Sequence, residues 1–279
     1  MRVVRPFDPW KSELCTCPEK FSFNPYTGCS HRCLYCYATY IPRFFELREK
    51  RNLLRNLEKD LRELPRDAVI SMSNSSDPYP PVERERELTR KCIELMRDYD
   101  VKLLVVTKSD IVIRDLDLIS EMRAAVCITI TGLEAFEGAP RTERRIEAFR
   151  TVKDYGIPAI LRFDPVIPGV NDGKLWIIEK CEPDHVVTST LKLKRDAVGR
   201  LKRFEEIRSL LPLYVEKHGG YRYLRRDVRE RVLRKIEEFC ASLGISCAFC
   251  REGLPFKAAS CDGQHLIRRV SEPCPPRCP

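Results

Sequence analysis

Short apolar segments rich in β-branched residues alternate along the chain with longer charged segments. The apolar segments cover residues 21–23, 68–73, 101–107, 126–131, 157–164 and 185–190. The charged segments carry apolar residues at helical spacing, at residues 42–64, 83–98, 114–123, 141–155, 173–181 and 201–211. Almost wholly apolar strands that alternate with amphipathic helices are typical of a parallel sheet with covered faces. The pattern therefore predicts an α/β protein of six units, either a doubly wound sheet or an incomplete barrel.

The pattern changes after about residue 212. One strong helix is predicted over residues 225–243, and the sequence beyond it is rich in Cys, Gly and Pro without clear periodicity. Such a segment has few apolar residues to bury, so it needs another source of order, and metal ligation is one candidate. We divide the chain into an N-terminal segment 1–20, a main domain 21–211 and a C-terminal extension 212–279.

Composition narrows the class of protein. With 43% hydrophobic residues among 279, the chain can bury a core, which excludes a mainly disordered protein. It has no apolar run of the roughly 18 residues that a membrane span requires. The N-terminus also lacks the apolar segment of a signal peptide. We therefore expect a cytoplasmic protein with no membrane partner.

Positive charge is concentrated in residues 192–235. This stretch holds 15 Lys and Arg against 6 Asp and Glu, which accounts for the whole formal net charge of +9. Phe204, Tyr214, Tyr221 and Tyr223 are interleaved with these charges. Cationic and aromatic side chains together favour single-stranded or distorted nucleic acid as a partner. Solvated basic faces of two amphipathic helices are the alternative interpretation.

Three of the 14 cysteines, Cys29, Cys33 and Cys36, form a C-x3-C-x2-C motif. In a large cytosolic chain, clustered cysteines more often bind metal or iron–sulfur clusters than form disulfides. Three thiolates on one loop would hold three irons of a [4Fe–4S] cluster and leave the fourth iron open. Zinc would need a fourth protein ligand, and His31 is the nearest candidate, although it lies inside the tight loop.

This motif, with Tyr35 before its last cysteine, resembles the signature of the radical S-adenosylmethionine (SAM) enzymes. Residues 24–38, 73–83, 107–119 and 137–172 resemble, in the same order, stretches of the spore photoproduct lyase-like branch. The resemblance implies a partial (β/α)6 TIM-like barrel with a Cys-rich C-terminal extension. It implies a [4Fe–4S] cluster in the loop after the first strand, whose open iron chelates S-adenosylmethionine. An electron from a donor such as a ferredoxin or flavodoxin then yields a 5′-deoxyadenosyl radical, which abstracts hydrogen from a substrate.

The resemblance also implies cofactor contacts at the ends of the strands. The matching residues are Tyr35, Ser76, Lys108, Thr129 and Arg162. Tyr35 would lie near the adenine, and Arg162, with Asp164, near the ribose or the substrate. Other roles remain open for each: a helix cap or loop hydrogen bond, a packed aromatic ring, or an Arg162–Asp164 ion pair.

The resemblance fails at Asn74. Photoproduct lyases have a Cys-Thr-Ser-Asp motif whose cysteine returns a hydrogen atom to the product radical. Here the stretch reads Asn74-Ser75-Ser76-Asp77. The N–H bond of an amide is too strong for that role, so we do not expect a photoproduct lyase of the known kind.

Eleven cysteines lie outside the motif. Cys92, Cys127 and Cys181 fall within strand or helix patterns and are interpreted as small core residues. The other eight would fill two four-thiolate sites for auxiliary iron–sulfur clusters or zinc. The predicted sets are Cys240, Cys247, Cys250 and Cys261, and Cys15, Cys17, Cys274 and Cys278. Disulfides, or a redox donor near the substrate, are the alternatives.

Three functions are compatible with these features. The first is a radical SAM enzyme that acts on a nucleic acid, in RNA modification or DNA repair, which the basic stretch favours. The second is the same chemistry on a peptide or protein. The third is a non-catalytic, metal-stapled nucleic-acid-binding protein, which the open iron disfavours.

Overall fold

The computed structural model describes residues 2–7 and 12–267, and the predicted strands form one main sheet. The strands are β1 (Arg5–Pro6), β2 (Phe21–Phe23), β3 (Tyr26–Thr27), β4 (Arg48–Glu49), β5 (Ala68–Met72), β6 (Val101–Thr107), β7 (Ala124–Thr129), β8 (Ala159–Val166), β9 (His185–Thr190), β10 (Glu216–His218), β11 (Tyr221–Tyr223) and β12 (Ser246–Phe249). The helices are α1 (Leu53–Glu63), α2 (Glu83–Arg86), α3 (Leu88–Arg97), α4 (Leu116–Ser120), α5 (Thr142–Asp154), α6 (Trp176–Cys181), α7 (Arg195–Leu201), α8 (Glu205–Leu210) and α9 (Arg226–Ser242). Short 3-10 helices lie at Ala38–Tyr40, Asp110–Asp115, Glu134–Phe136, Leu211–Leu213 and Gln264–Leu266.

The main sheet has the strand order β1-β2-β5-β6-β7-β8-β9-β12. Every neighbouring pair from β2 to β12 is parallel, and β1 pairs antiparallel with β2 at one edge. The pairs β3–β4 and β10–β11 form two small antiparallel ribbons. A parallel sheet whose strands alternate with helices confirms the predicted α/β class.

The two faces of the sheet are covered differently, which distinguishes a barrel from a doubly wound sheet. On β6, Leu103 and Val105 face a large core that also contains residues of α1, α3, α5, α6 and α9. Leu104 faces the other way and belongs to a second buried cluster with Ile160 of β8 and Ile267 near the end of the described chain. In the described residues, the α-helices thus cover the outer face of the sheet. Residues of the C-terminal extension, including Ile267, pack on the inner face. This arrangement is a partial barrel.

The strand β12 was not predicted from the sequence. It follows α9 and pairs in parallel with β9, with Cys247 opposite Val186 and Phe249 opposite Thr188. Phe249 and Leu254 are buried in the outer core. Part of the extension is therefore held by ordinary sheet pairing and burial. The boundaries at residues 20 and 211 stay predictions about domains, although β12 joins the barrel sheet from beyond the second one.

The predicted helices are confirmed in place but differ in extent. The segment 83–98 is interrupted at Glu87, whose φ of +50° ends α2 before α3 begins. The buried carboxylate of Glu83 accepts a hydrogen bond from Thr89 N at 2.8 Å, so it caps the start of α3. The segment 42–64 forms a helix only from Leu53 onward, after β4. Within residues 2–7 and 12–267, no helix is both long enough and apolar enough to cross a bilayer.

Candidate active site

A large cavity opens where the parallel strands end at their carboxyl side. Its wall includes residues from the ends of β5, β6, β7, β8 and β9. The carboxyl ends of barrel strands are where such folds place their ligands.

Cys29, Cys33 and Cys36 line this cavity on the loop after β2. The loop turns tightly at Gly28, which has a φ of +84°, and a Cβ there would lie 2.2 Å from the carbonyl oxygen of Glu46. Burial raises the pKa of each of the three thiols to about 12. In such a site, metal binding must displace the thiol protons.

His31 does not complete a zinc site with these cysteines in the structure. Its Nε2 lies 3.2 Å from Oδ2 of Asp77, and both side chains are buried. Across the described part of the chain, no three His, Cys, Asp or Glu side chains are arranged to hold a single metal ion. An iron–sulfur cluster places each thiolate on its own iron, so its ligands need not converge on one point. Three thiols on one loop that faces a cavity therefore fit a cluster better than zinc.

A buried carboxylate, Glu137, supports the cysteine loop, and sequence reasoning did not select it as a site residue. It pairs with Lys108 (3.1 Å) and Arg145 (2.5 Å) and accepts a hydrogen bond from the Tyr35 hydroxyl. Burial alone would raise the pKa of Glu137, but the two cations and the Tyr35 hydrogen bond outweigh it and lower the pKa to about 2. The adjacent Gly138 N donates to the carbonyl oxygen of His31 at 2.7 Å. The only sequence signal was that Glu137 begins a segment that resembles the lyase-like branch.

Asp77 is a second buried carboxylate that the sequence reasoning missed. Besides His31, it accepts hydrogen bonds from Thr107 Oγ1 (2.7 Å) and Lys108 N (2.7 Å). Burial would raise its pKa, but the interactions with His31, Lys108 N and Thr107 lower it. Asp77 therefore joins the cysteine loop to the end of β6.

The five residues predicted to contact the cofactor all line the cavity with Cys29, Cys33 and Cys36. They are Tyr35, Ser76, Lys108, Thr129 and Arg162. Ser76 Oγ donates to the carbonyl oxygen of Tyr26 at 3.0 Å. Lys108 Nζ lies 3.0 Å from the Tyr35 hydroxyl, and Arg162 Nη2 lies 2.8 Å from Oδ2 of Asp164. The structure brings these residues together, and their roles toward a cofactor stay predictions.

Asn74 has a structural role in the cavity wall. Its Nδ2 donates to Ser22 Oγ at 2.9 Å and to the carbonyl oxygen of Ser71 at 3.0 Å. Its backbone N–H donates to Asn24 Oδ1 at 3.1 Å. These bonds tie the end of β5 to β2 and the loop that follows it.

The remaining cysteines are grouped differently from the prediction. Cys15, Cys17, Cys250 and Cys261 line the cavity. Cys240 and Cys247 pack instead in the outer core between α9 and β12, so the predicted set that joined them to Cys250 and Cys261 does not match the structure. The reason is the alternation along β12, which turns Cys247 outward, whereas Cys250 follows the strand into the barrel.

Three other cysteine predictions have different outcomes. Cys92 and Cys181 are buried in the outer core, as predicted. Cys127 is buried too, but it faces the barrel interior and lines the cavity. Cys274 and Cys278, which were predicted to join Cys15 and Cys17, lie outside the described residues.

The aromatic residues of the basic stretch are mostly core residues. Tyr214 and Tyr223 are buried, and Phe204 stacks against Phe136 with ring centroids 4.5 Å apart. Tyr221 is buried as well but lines the cavity. Two rings just after Cys36 are exposed, Tyr37 with 40% and Tyr40 with 52% of its surface accessible, and sequence reasoning did not single them out.

Comparison with known proteins identifies the family. The model of the Radical SAM superfamily matches residues 23–180, which is more than half of the chain. The protein therefore belongs to the Radical SAM superfamily. It is a radical SAM enzyme, and the family implies a [4Fe–4S] cluster and S-adenosylmethionine as its cofactors.

The similar proteins agree with this assignment. The chain is 31% identical over 196 residues to the uncharacterized protein MJ0683 of Methanocaldococcus jannaschii, covering 66% of this chain and 72% of that protein. The structure is similar to spore photoproduct lyase complexed with dinucleoside spore photoproduct, with a TM-score of 0.62 and 17% identity over 87% of this chain and 77% of that one. It is also similar to native anSMEcpe with bound AdoMet and Cp18Cys peptide, with a TM-score of 0.51 and 16% identity over 79% of this chain and 59% of that one. At these identities the two structures show a shared fold, which confirms the predicted partial barrel.

Proposed function

We propose that this enzyme abstracts a hydrogen atom from a nucleic acid, in RNA modification or DNA repair. In this proposal Cys29, Cys33 and Cys36 hold the [4Fe–4S] cluster, and the cavity beside them holds S-adenosylmethionine. When bound and reduced, the cluster supplies the electron that cleaves S-adenosylmethionine to methionine and the 5′-deoxyadenosyl radical. A ferredoxin or flavodoxin as electron donor and a cytoplasmic location, where thiols stay reduced, belong to the same proposal.

The cavity wall offers the groups that such a cofactor needs. Lys108 presents an ammonium group, and Ser76 and Thr129 present hydroxyl groups, at the ends of three neighbouring strands. A carboxylate is recognised by an ammonium group, and ribose hydroxyls are recognised by side-chain hydroxyls that accept or donate.

The observation that carries the nucleic-acid proposal is a cation–aromatic group beside the cysteine loop. The Lys194 ammonium lies over the rings of Tyr40 and Tyr221, at 4.7 and 4.9 Å from their centroids. Tyr221 lines the cavity, and Tyr40 is exposed. Lys194 directly precedes α7, and Arg195 on that helix is exposed. Cations next to an exposed ring suit a phosphate backbone with an unstacked base.

The other substrate class, a peptide or protein, is supported by one comparison. The fold is similar to that of anSMEcpe, whose structure contains a peptide with AdoMet. Spore photoproduct lyase, whose structure contains a dinucleoside, has the higher TM-score and coverage. A non-catalytic binding protein is not supported, because the chain is a radical SAM enzyme.

Deuterium transfer tests the substrate class. Deuterated RNA, DNA and peptides are each incubated anaerobically with the reconstituted enzyme, S-adenosylmethionine and a reductant. We expect deuterium in 5′-deoxyadenosine from a nucleic acid and none from the peptides. Transfer from a peptide alone would overturn the proposed substrate while leaving the radical chemistry intact.

The salt dependence of nucleic-acid binding tests the surface formed by Lys194, Arg195 and Tyr40. We expect the double variant Lys194→Gln and Arg195→Gln to bind single-stranded RNA or DNA more weakly. The slope of log K against log salt should fall in magnitude by about 0.7 for each phosphate that the variant no longer neutralises. The control is Arg55→Gln with Lys59→Gln, two exposed cations on α1. Equal slopes for both double variants would show that this surface does not bind phosphates.

A further inference from the structure

Four cysteines from distant parts of the chain meet in the wall of the cavity. Cys15 and Cys17 precede β2, Cys250 follows β12, and Cys261 lies in the turn beyond it. The Sγ atoms of Cys17 and Cys261 are 3.2 Å apart, and the thiols of Cys15 and Cys17 are hydrogen-bonded. Cys250 interacts electrostatically with the other three. Since 244 residues separate Cys17 from Cys261, the fold and not the local chain brings them together.

Two cations accompany these thiols. Lys20 is buried in an ion pair with Asp262 and interacts with Cys17 and Cys261. Arg162 Nη2 donates to Cys250 Sγ at 3.4 Å. Burying several thiolates without counter-charges is costly, so nearby cations are what an anionic thiolate site requires.

Cys240 and Cys247 form a pair of buried core cysteines, with which the proposed ligand cysteines can be compared. Both thiols are buried and hydrogen-bonded to each other among the apolar residues of the outer core. The carboxylate of Glu237 and the Cys240 thiol both disfavour a thiolate at Cys247. Cys15, Cys17, Cys250 and Cys261 differ from this pair in number, in facing the cavity, and in lying beside Lys20 and Arg162, each of which is also paired with a carboxylate, Asp262 and Asp164.

We infer that Cys15, Cys17, Cys250 and Cys261 bind an auxiliary iron–sulfur cluster in the same cavity as the cluster of the cysteine loop. The inference rests on the proposed function, because it adds a second centre to that site. Four cysteine thiolates are a ligand set that a [4Fe–4S] cluster and a structural zinc ion share, and the metal analysis below separates the two. With four protein thiolates the cluster has no open iron, so it does not bind S-adenosylmethionine. It fastens the N-terminal segment and residues 250–261 to the barrel.

Iron analysis of the full-length chain, purified and reconstituted without oxygen, tests this site. We expect about eight irons per wild-type chain and about four, with a [4Fe–4S] absorption spectrum, when Cys29, Cys33 and Cys36 are all changed to Ala. We also expect about four irons when Cys15, Cys17, Cys250 and Cys261 are all changed to Ala. The matched controls Cys240→Ala with Cys247→Ala, and Cys274→Ala with Cys278→Ala, should keep about eight.

The outcomes separate this inference from the proposed function. A folded chain that lacks Cys29, Cys33 and Cys36 and binds no iron, or binds zinc, would overturn the auxiliary cluster. Loss of half the iron in either control variant would show that the cysteines changed in that variant are cluster ligands. That result would also overturn the ligand set inferred here. If the variant without Cys15, Cys17, Cys250 and Cys261 does not fold, the variant without Cys29, Cys33 and Cys36 still gives the answer. The iron that this second variant retains shows whether the auxiliary cluster is present. Cleavage of S-adenosylmethionine by the wild type is measured in parallel and tests the proposed function by itself.

Discussion

The ion pairs of Glu137 allow us to predict how much folding stability is lost when its carboxylate is removed. The change is Glu137→Gln, which keeps the size of the side chain but leaves Lys108 and Arg145 without their buried anion. The pKa of Glu137 falls from 4.5 to about 2 in the folded chain. At about 1.4 kcal/mol per pH unit, this corresponds to about 3 kcal/mol of stability at neutral pH. Breaking a buried ion pair by removing one partner costs a similar amount, about 3–5 kcal/mol.

The pH dependence has a definite sign. A carboxyl group with a lowered pKa stabilises the folded state above its unfolded pKa, so the contribution of Glu137 is complete above about pH 4.5. It is lost as the pH falls toward 2. The stability difference between wild type and Glu137→Gln should therefore be largest near neutral pH and shrink below pH 4.5.

Thermal unfolding of the reconstituted protein, followed by circular dichroism under anaerobic conditions, measures this difference. We expect the variant to unfold about 6–12 °C below the wild type near pH 7, given about 2–4 °C per kcal/mol in a chain of this size. The matched control is Glu147→Gln, an exposed carboxylate on α5, which should change the midpoint by less than about 2 °C. A Glu137→Gln midpoint equal to that of the control would refute the reasoning.

Two further predictions concern the cysteine loop and Asn74. Gly28→Ala should lose the iron bound by the loop, about half of the total, because its Cβ would meet the carbonyl oxygen of Glu46. Gly156→Ala also has a positive φ but open space around it, so it should keep its iron, and equal iron in both variants would contradict the prediction. The wild type should not reverse the spore-type thymine dimer, because the Asn74 amide cannot donate a hydrogen atom and is fixed by Ser22 and Ser71. Efficient repair of a lesion-containing oligonucleotide would show that a cysteine elsewhere acts as the donor.

The barrel strands were predictable because their signal is local. The bounds of β2, β6 and β9 agree with the sequence pattern residue for residue, and β5, β7 and β8 differ by two residues or fewer at each end. Buried parallel strands are apolar on both faces, so each produces a short apolar run that needs no knowledge of its neighbours. The five residues predicted to contact the cofactor were chosen by resemblance, and the structure places all five in one cavity.

The elements that were missed depend on distant parts of the chain. The strand β12 has four residues and no β-branched run, and it is a strand because β9 offers a free edge. The grouping of Cys250 and Cys261 with Cys15 and Cys17 depends on that strand, since sequence proximity had suggested Cys240 and Cys247 instead. For Glu137 the sequence offered only its place at the start of a resembling segment, because a buried acid is recognised once Lys108 and Arg145 are seen around it.

The measurement that tests the central claim most directly is the formation of 5′-deoxyadenosine by the reduced, reconstituted chain. The account predicts that the wild type cleaves S-adenosylmethionine, and that the variant with Cys29, Cys33 and Cys36 changed to Ala does not, although it remains folded by circular dichroism. Cys92→Ala, which removes a thiol buried in the outer core, should still cleave it. Continued production of 5′-deoxyadenosine by the variant without the three loop cysteines would contradict the account.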